Sequence, residues 1–175
     1  MNKIFDGVRP GDVALGILAT GLGVLLMVGN ITGAEEGVRI DSTSWAMIPV
    51  FALATLPIIW RRRGILAVTL VSAAAMAVHV AAFGWVVRCG AGLPLAFALA
   101  YGVGRLTVGR RDSFVAFAAT LGLQVLVLVK DSAAGLEIIP FTAVIAAAFW
   151  GVGYVLQQRS TRQQAVAESP VGSYV

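Results

Sequence analysis

Residues 57 to 68 read PIIWRRRGILAV, so three consecutive arginines stand between two apolar runs. One run extends back from Trp60 to Ser44, and the other extends forward from Gly64 to Val87. A helix needs roughly 20 apolar residues to cross the hydrocarbon core of a membrane, and each run is close to that length. The stretch therefore predicts a tight polar turn, Arg61 to Arg63, between two membrane-spanning helices. Trp60 is expected to anchor this turn at the lipid headgroups.

The composition of the whole chain favours the same interpretation. Of 175 residues, 58 % are hydrophobic and 13 % are charged, and the mean hydropathy is +0.86. Soluble domains carry about 25 % charged residues, so a soluble globular protein is excluded. No polar stretch is long enough to form a second domain. The single cysteine, Cys89, excludes an internal disulfide.

Six apolar runs predict an all-α bundle of six transmembrane helices. Residues 1–12 precede the transmembrane domain, 13–157, and a polar tail, 158–175, follows it and is expected to be disordered. A cleaved signal peptide is the alternative for the first run, but its apolar core would span only about 7 to 15 residues. The predicted helices cover residues 13–31, 44–60, 64–87, 91–108, 114–129 and 138–156.

The distribution of basic residues predicts the orientation. With six spans, both termini lie on one side, together with the turns after the second and fourth helices. Basic residues collect in cytoplasmic loops, so both termini are predicted to be cytoplasmic. The same rule accounts for the pI of 9.8, so no nucleic-acid partner is expected. Only Arg39, Arg88 and Lys130 fall on the opposite side. The termini side holds Lys3, Arg9, Arg61, Arg62, Arg63, Arg105, Arg110, Arg111, Arg159 and Arg162.

The depth of two groups of side chains in the predicted bundle indicates their roles. Arg105, Arg110 and Arg111, like the arginine turn, lie within reach of the cytoplasmic headgroups and are expected to anchor the helices there. His79 and Gln124 are strongly polar and lie inside the membrane at similar depth, which makes them the candidate ligand-binding residues. The alternative is that each bonds separately to a neighbouring helix. Asp6 and Asp12 are candidate caps of the first helix.

Small residues spaced four apart lie on one face of a helix and allow a neighbouring helix to approach closely. Lipid tails are as apolar as leucine, so helices in a membrane associate through this close packing and not through the hydrophobic effect. Such stripes occur in the first, third, fourth, fifth and sixth helices, and they serve either packing within the bundle or self-association. The three longest are Ala73, Ala77 and Ala81; Ala96, Ala100 and Gly104; and Ala143, Ala147 and Gly151. The two shorter ones are Ala19 with Gly23 and Ala118 with Gly122.

No catalytic, nucleotide-binding or metal-binding motif occurs in the sequence, and no intramembrane carboxylate accompanies His79. We therefore expect a protein that is not an enzyme and that has no metal and no cofactor. The excess of arginine, alanine, glycine and valine is typical of a GC-rich bacterial genome. The expected location is a bacterial inner or plasma membrane, which the chain crosses several times.

Three segments carry a resemblance to a known family. They are PIIWRRRG before the third predicted helix, AYGVGR to RRD at the end of the fourth, and FWGVGYVLQQR at the end of the sixth. Over roughly residues 10 to 162, the chain resembles the N-terminal membrane module of actinobacterial two-component sensor histidine kinases. The only histidine, His79, lies in a predicted membrane helix. The resemblance therefore implies a sensor-like module without the kinase domain and without autokinase activity.

Two functions follow as hypotheses. The first is a non-catalytic membrane protein, sensor-like or an accessory subunit, which acts by binding a membrane or cytoplasmic protein. The second is the substrate-binding component of a small-molecule transporter, since six helices in 175 residues are also similar to the substrate-capturing subunits of energy-coupling-factor transporters. In that case His79 and Gln124 would line the pocket. Those subunits usually have more polar pocket residues than this sequence offers. A third possibility, a lipid-modifying enzyme, would need a nucleophile and a base, and the sequence shows neither.

Overall fold

A computed structural model of the chain describes residues 7–33 and 38–168. These residues form helices and no strands, which confirms the all-α prediction for the described part. The helices are α1 (Pro10–Thr32), α2 (Met47–Thr55), α3 (Ile65–Phe83), α4 (Cys89–Leu106), α5 (Arg110–Leu128) and α6 (Ile139–Glu168). Two short 3₁₀ segments, Leu56–Trp60 and Leu136–Ile138, follow α2 and precede α6. Three segments lie outside the described residues: 1–6, which includes Lys3 and Asp6, 34–37, and 169–175 of the predicted tail.

Five helices are long and apolar enough to cross a membrane: α1, α3, α4, α5, and α6 with its preceding 3₁₀ turn. Their large apolar side chains are exposed along the bundle, for example Leu18 and Leu25 of α1 and Phe141 and Val144 of α6. A soluble monomer does not expose apolar surface on this scale. The chain is therefore a multi-pass membrane protein.

The second predicted helix, 44–60, is shorter than expected. The α-helical part covers Met47–Thr55, and the chain then tightens into the 3₁₀ segment that contains Pro57. Pro57 has no backbone N–H to donate, and its ring displaces the preceding turn, so the regular helix stops before it. The 9 α-helical and 5 3₁₀ residues together span only about 24 Å. That length is less than the roughly 30 Å of a bilayer core.

The third predicted helix, 64–87, ends earlier than expected, at Phe83. Gly84 follows with φ of 63°, a left-handed conformation that a residue with a side chain adopts only with strain. Asp41 packs against the Cα of Gly84, and a Cβ there would lie 3.0 Å from that of Asp41. Residues 84–88 therefore form a loop instead of a last helical turn.

The sixth predicted helix, 138–156, and the predicted disordered tail also differ from the structure. α6 runs for 30 residues, so that residues 158–168 are helical. Glutamine and arginine are good helix formers and favour continuation of the helix beyond the apolar run. The predicted starts and ends of the other three helices differ by a few residues. In α5 the helix begins at Arg110, before the apolar run.

The helices connect two ends of a bundle. One end, which we call the Arg88 end, is formed by residues 38–44, 84–88 and 129–138. The start of α1, residues 61–64, residues 106–110 and the later part of α6 form the other, which we call the arginine-rich end. α4 lies at the centre, with Leu95, Ala96, Leu99, Ala100 and Val103 fully buried or nearly so.

The closest helix contact joins α4 and α6 through Gly104 and Gly153. A Cβ on Gly104 would overlap the carbonyl of Trp150 and lie 2.8 Å from the backbone nitrogen of Tyr154. A Cβ on Gly153 would overlap the carbonyl of Tyr101 and lie 2.9 Å from the nitrogen of Arg105. The two backbones therefore touch directly, as small residues allow in a membrane.

The small-residue stripes pack inside the bundle in only some of the helices. The α4 stripe ending at Gly104 is buried, and Gly23 of α1 packs against Phe51. In α6, Ala146 and Gly153 are buried whereas Ala147 of the predicted stripe is exposed, so the packed face of this helix is not centred on the stripe. In α5, Ala118 and Gly122 are exposed, and in α3, Ala81 is exposed. An alanine-rich helix offers several such stripes, so their spacing alone cannot select the packed face.

Candidate functional site

The Arg88 end contains a guanidinium that is fully removed from solvent. Arg88 is 0 % exposed, although it lies in the loop before α4. Its Nε donates to Nδ1 of His79 at 3.1 Å, and Nη2 donates to the Gly84 carbonyl at 2.6 Å. Nη1 donates to the carbonyls of Lys130 at 2.7 Å and Val86 at 3.4 Å. Arg88 therefore joins α3, its own loop and the segment after α5.

Burial lowers the pKa of the Arg88 guanidinium to about 10, while the negative charge of Asp131 opposes this shift. The side chain consequently stays cationic at neutral pH. A buried charge costs free energy unless hydrogen bonds and an opposite charge compensate it. The four acceptors and the neighbouring carboxylate supply that compensation.

Asp131 organises the backbone around Arg88. It is 2 % exposed, and its Oδ2 accepts from the backbone N–H groups of Arg88 at 2.5 Å and Cys89 at 2.6 Å. Its Oδ1 accepts from Ala133 at 3.0 Å and Ala134 at 2.9 Å. The carboxylate thus caps the start of α4, where the helix dipole favours a negative charge, and it fixes the loop after α5.

His79 lies at the base of this network and is fully buried in α3. Because arginine can only donate, Nδ1 of His79 must be the acceptor of their bond and the ring proton must reside on Nε2. The rings of Phe51 and Phe83 pack at centroid distances of 5.4 and 4.9 Å. Nε2 has no partner with hydrogen-bond geometry among the described residues, although the backbone of Met47 interacts with the ring.

Gln124 forms no hydrogen bond with the residues of this network in the described structure. Its Oε1 accepts from the hydroxyl of Thr142 on α6 at 3.3 Å, and its Nε2 has no partner in the described part of the chain. No hydrogen bond joins Gln124 to His79. The two candidate residues therefore have separate partners. Gln124 bonds to a hydroxyl on a neighbouring helix, as in the alternative considered from the sequence, whereas His79 bonds to a loop arginine.

Asn30, near the end of α1, clamps the loop that carries Arg88. Its Nδ2 donates to the Val87 carbonyl at 2.8 Å, and its Oδ1 accepts from the Val87 N–H at 3.2 Å. A cavity of about 520 Å³ lies beside this clamp, lined mainly by apolar residues of α1 and of residues 38–40. Its size suits a small molecule of moderate polarity.

The surface of the Arg88 end is held by Asp41 and its neighbours. Asp41 accepts from the Trp85 N–H at 3.0 Å and pairs with Arg39 at 2.9 Å, and both interactions lower the pKa of its carboxyl. The guanidinium of Arg39 lies 5.3 Å from the centre of the Trp85 ring, and Ser132 donates to the Arg39 carbonyl. Three separate loops are thereby joined.

The arginine-rich end has its own buried carboxylate, Asp12. It is 0 % exposed and accepts from the Nε of Arg61 and the Nε of Arg62, both at 2.7 Å. Its Oδ2 also accepts from the Arg9 N–H at 3.2 Å, as expected for a residue that caps α1. Two of the three arginines of the predicted turn therefore hold the start of α1 against the turn that follows the first 3₁₀ segment.

The other predicted anchoring residues occupy the same end. Trp60 closes the 3₁₀ segment and packs against the core, and its carbonyl accepts from the Arg63 N–H at 2.9 Å. Arg105 donates to the Ser160 hydroxyl at 3.0 Å, whereas Arg110 and Arg111 are exposed at the start of α5. Nearby, Trp150 donates to Ser113 at 2.9 Å and joins α6 to α5.

The sequence interpretation missed Arg88, Asp131 and Asn30. The sequence places Arg88 only in a loop and gives Asp131 no distinct role, because both stand at the ends of apolar runs. A single asparagine at the end of a membrane helix gives no distinctive signal. Within residues 7–33 and 38–168, no group of three or more histidine, cysteine or acidic residues is placed to hold a metal ion.

No protein-family model, no curated protein and no solved structure matches the chain.

Proposed function

We propose that the chain is a non-catalytic membrane protein, sensor-like or an accessory subunit, that acts through a protein partner. The observation that carries this proposal is the path from the Arg88 end to the polar end of α6. Asp131 holds the first residues of α4, α4 touches α6 at Gly104 and Gly153, and α6 continues past the packed bundle to Glu168. A rigid helix pair of this kind can pass a displacement from one end to the other.

The partner surface in this proposal is the polar end of α6, which includes Gln157, Gln158, Thr161 and Arg162. Thr161 is exposed, and its hydroxyl bonds only to the carbonyl of Gln157 within its own helix in the described structure. A continuous helix leaving the bundle is also what the resemblance to sensor modules implies. The proposed site of signal input is the cavity beside Asn30 and Val87.

A photo-crosslinking residue at Thr161 is expected to form an adduct of defined mass with another protein in native membranes. The same residue at Arg111, which is exposed at the same end but lies on α5, is the control and should give no such adduct. Mass spectrometry of the purified adduct identifies the partner. If both positions give the same adducts, or neither gives any, the partner surface on α6 is wrong.

A second candidate is the substrate-binding component of a small-molecule transporter, which the cavity of about 520 Å³ favours. Gly29 lines this cavity, and a Cβ there would meet nothing within 4 Å, so Gly29→Leu is expected to narrow the cavity. A small molecule that co-purifies with the full chain and is lost from this variant would favour transport over sensing. An ATPase identified as the protein crosslinked at Thr161 would also favour transport over sensing.

We further propose six spans with both termini in the cytoplasm of a bacterial cell. The alternation of the helices between two ends supports it, as does the excess of arginine at one of them. In a Cys89→Ser background, Thr43→Cys is expected to react with a membrane-impermeant maleimide in intact cells. Arg111→Cys should react only after permeabilisation. Reaction of Arg111→Cys in intact cells would contradict the proposed orientation.

A further inference from the structure

A pocket at the arginine-rich end collects four guanidinium groups. Its volume is about 240 Å³, and its lining includes Arg9, Arg61, Arg62 and Arg105 together with Tyr101. These residues come from the start of α1, the turn after the 3₁₀ segment and the last turns of α4. We call this cavity the arginine pocket.

The arginine pocket is positively charged even after its ion pairs are counted. Four arginines line it, and the one carboxylate that pairs with any of them in the described structure is Asp12. Asp12 is shared by Arg61 and Arg62, which leaves three positive charges without a matching negative one. Like charges that are brought together in this way repel one another unless an anion lies between them.

The hydrogen-bonding groups of the pocket remain available to a ligand. Arg61 and Arg62 use Nε for Asp12, and their terminal nitrogens donate to no other group in the described part of the chain. Arg105 uses one terminal nitrogen for Ser160. Guanidinium forks match the oxygens of a phosphate in charge and geometry, and the Tyr101 hydroxyl adds a further donor.

We infer that the arginine pocket binds a phosphate group, carried by an anionic membrane lipid or by a small soluble molecule. A volume of about 240 Å³ equals that of about eight water molecules at roughly 30 Å³ each, which suffices for a phosphate and a few attached atoms. Basic pockets between membrane helices on the cytoplasmic side bind anionic headgroups for the same reasons. The inference does not depend on the identity of a protein partner.

The test uses the full chain in a neutral detergent and two probes. Inorganic pyrophosphate, titrated by calorimetry, represents a soluble source. Short-chain phosphatidic acid, detected as a bound species by native mass spectrometry and compared with phosphatidylcholine, represents a lipid source. Saturable binding of one phosphate compound identifies its source, and binding of both shows that the pocket recognises the phosphate itself.

Arg105→Gln and Arg9→Gln are expected to weaken this binding about tenfold each, since each removes one charged donor. Neither side chain bonds to Asp12 in the described structure, so both variants should fold. Arg111→Gln removes an exposed arginine of the same end that does not line the pocket, and its affinity should be unchanged. The inference is overturned if neither probe binds or if Arg111→Gln loses as much affinity as the pocket variants.

Discussion

Replacing Arg88 with alanine is expected to lower the free energy of unfolding by about 3 to 5 kcal/mol, a cost typical of removing one partner from a buried charged network. The Gly84 carbonyl and Nδ1 of His79 would lose their donor, and the buried Asp131 would lose its neighbouring positive charge. Each buried polar group without a partner costs about 1 to 3 kcal/mol. The volume left by the side chain adds a cavity term.

Denaturation by SDS titration in mixed micelles measures this change. Arg39→Ala is the matched control, because Arg39 belongs to the same end of the bundle but its side chain is 66 % exposed. An exposed ion pair contributes about 0 to 1 kcal/mol, so this variant should be close to the parent protein. Arg88→Lys should fall between them, since lysine keeps the charge but lacks the fork that reaches several acceptors. Equal stability of Arg88→Ala and Arg39→Ala would contradict the structural role given to Arg88.

Gly153→Ala is expected to destabilise the protein by about 3 kcal/mol, or to prevent folding, because the new methyl group would overlap the backbone of α4. The atoms that it meets are the Tyr101 carbonyl and the Arg105 nitrogen, which cannot move aside as a flexible side chain can. α4 and α6 would have to separate, and the direct backbone contact between them would be lost.

Gly151→Ala is the matched control for this prediction. It lies two positions away on the same helix, and a Cβ at Gly151 would meet nothing within 4 Å. Alanine favours the helix by about 1 kcal/mol over glycine, so this variant should be neutral or slightly more stable. The same SDS titration compares the two. If Gly151→Ala is the more harmful change, the packed face of α6 is wrong.

This pair of glycines shows what the spacing of small residues leaves undecided. Ala143, Ala147 and Gly151 form a regular small-residue stripe, yet α6 packs through Ala146 and Gly153. A helix with many small residues offers several faces of similar size to a neighbour. Which face is used depends on the shape of α4, and no local pattern in α6 contains that information.

The candidate site was predictable only in part for a similar reason. His79 and Gln124 were found because polar groups are rare in apolar helices and costly there. Their separate partners, Arg88 and Thr142, come from loops and helices whose approach the sequence does not specify. Arg61 and Arg62 were recognised as a turn, but their shared bond to Asp12 joins residues about fifty positions apart.

The sequence by itself determined that the chain enters a membrane, where its apolar runs lie and where its polar turns fall. These properties follow from the transfer of each side chain between water and lipid, which depends on local composition. Only the tertiary structure decided that Arg88 is buried and that Gly104 and Gly153 touch. Those features depend on contacts between distant segments, since a charge or a glycine acquires its role from the groups that surround it after folding.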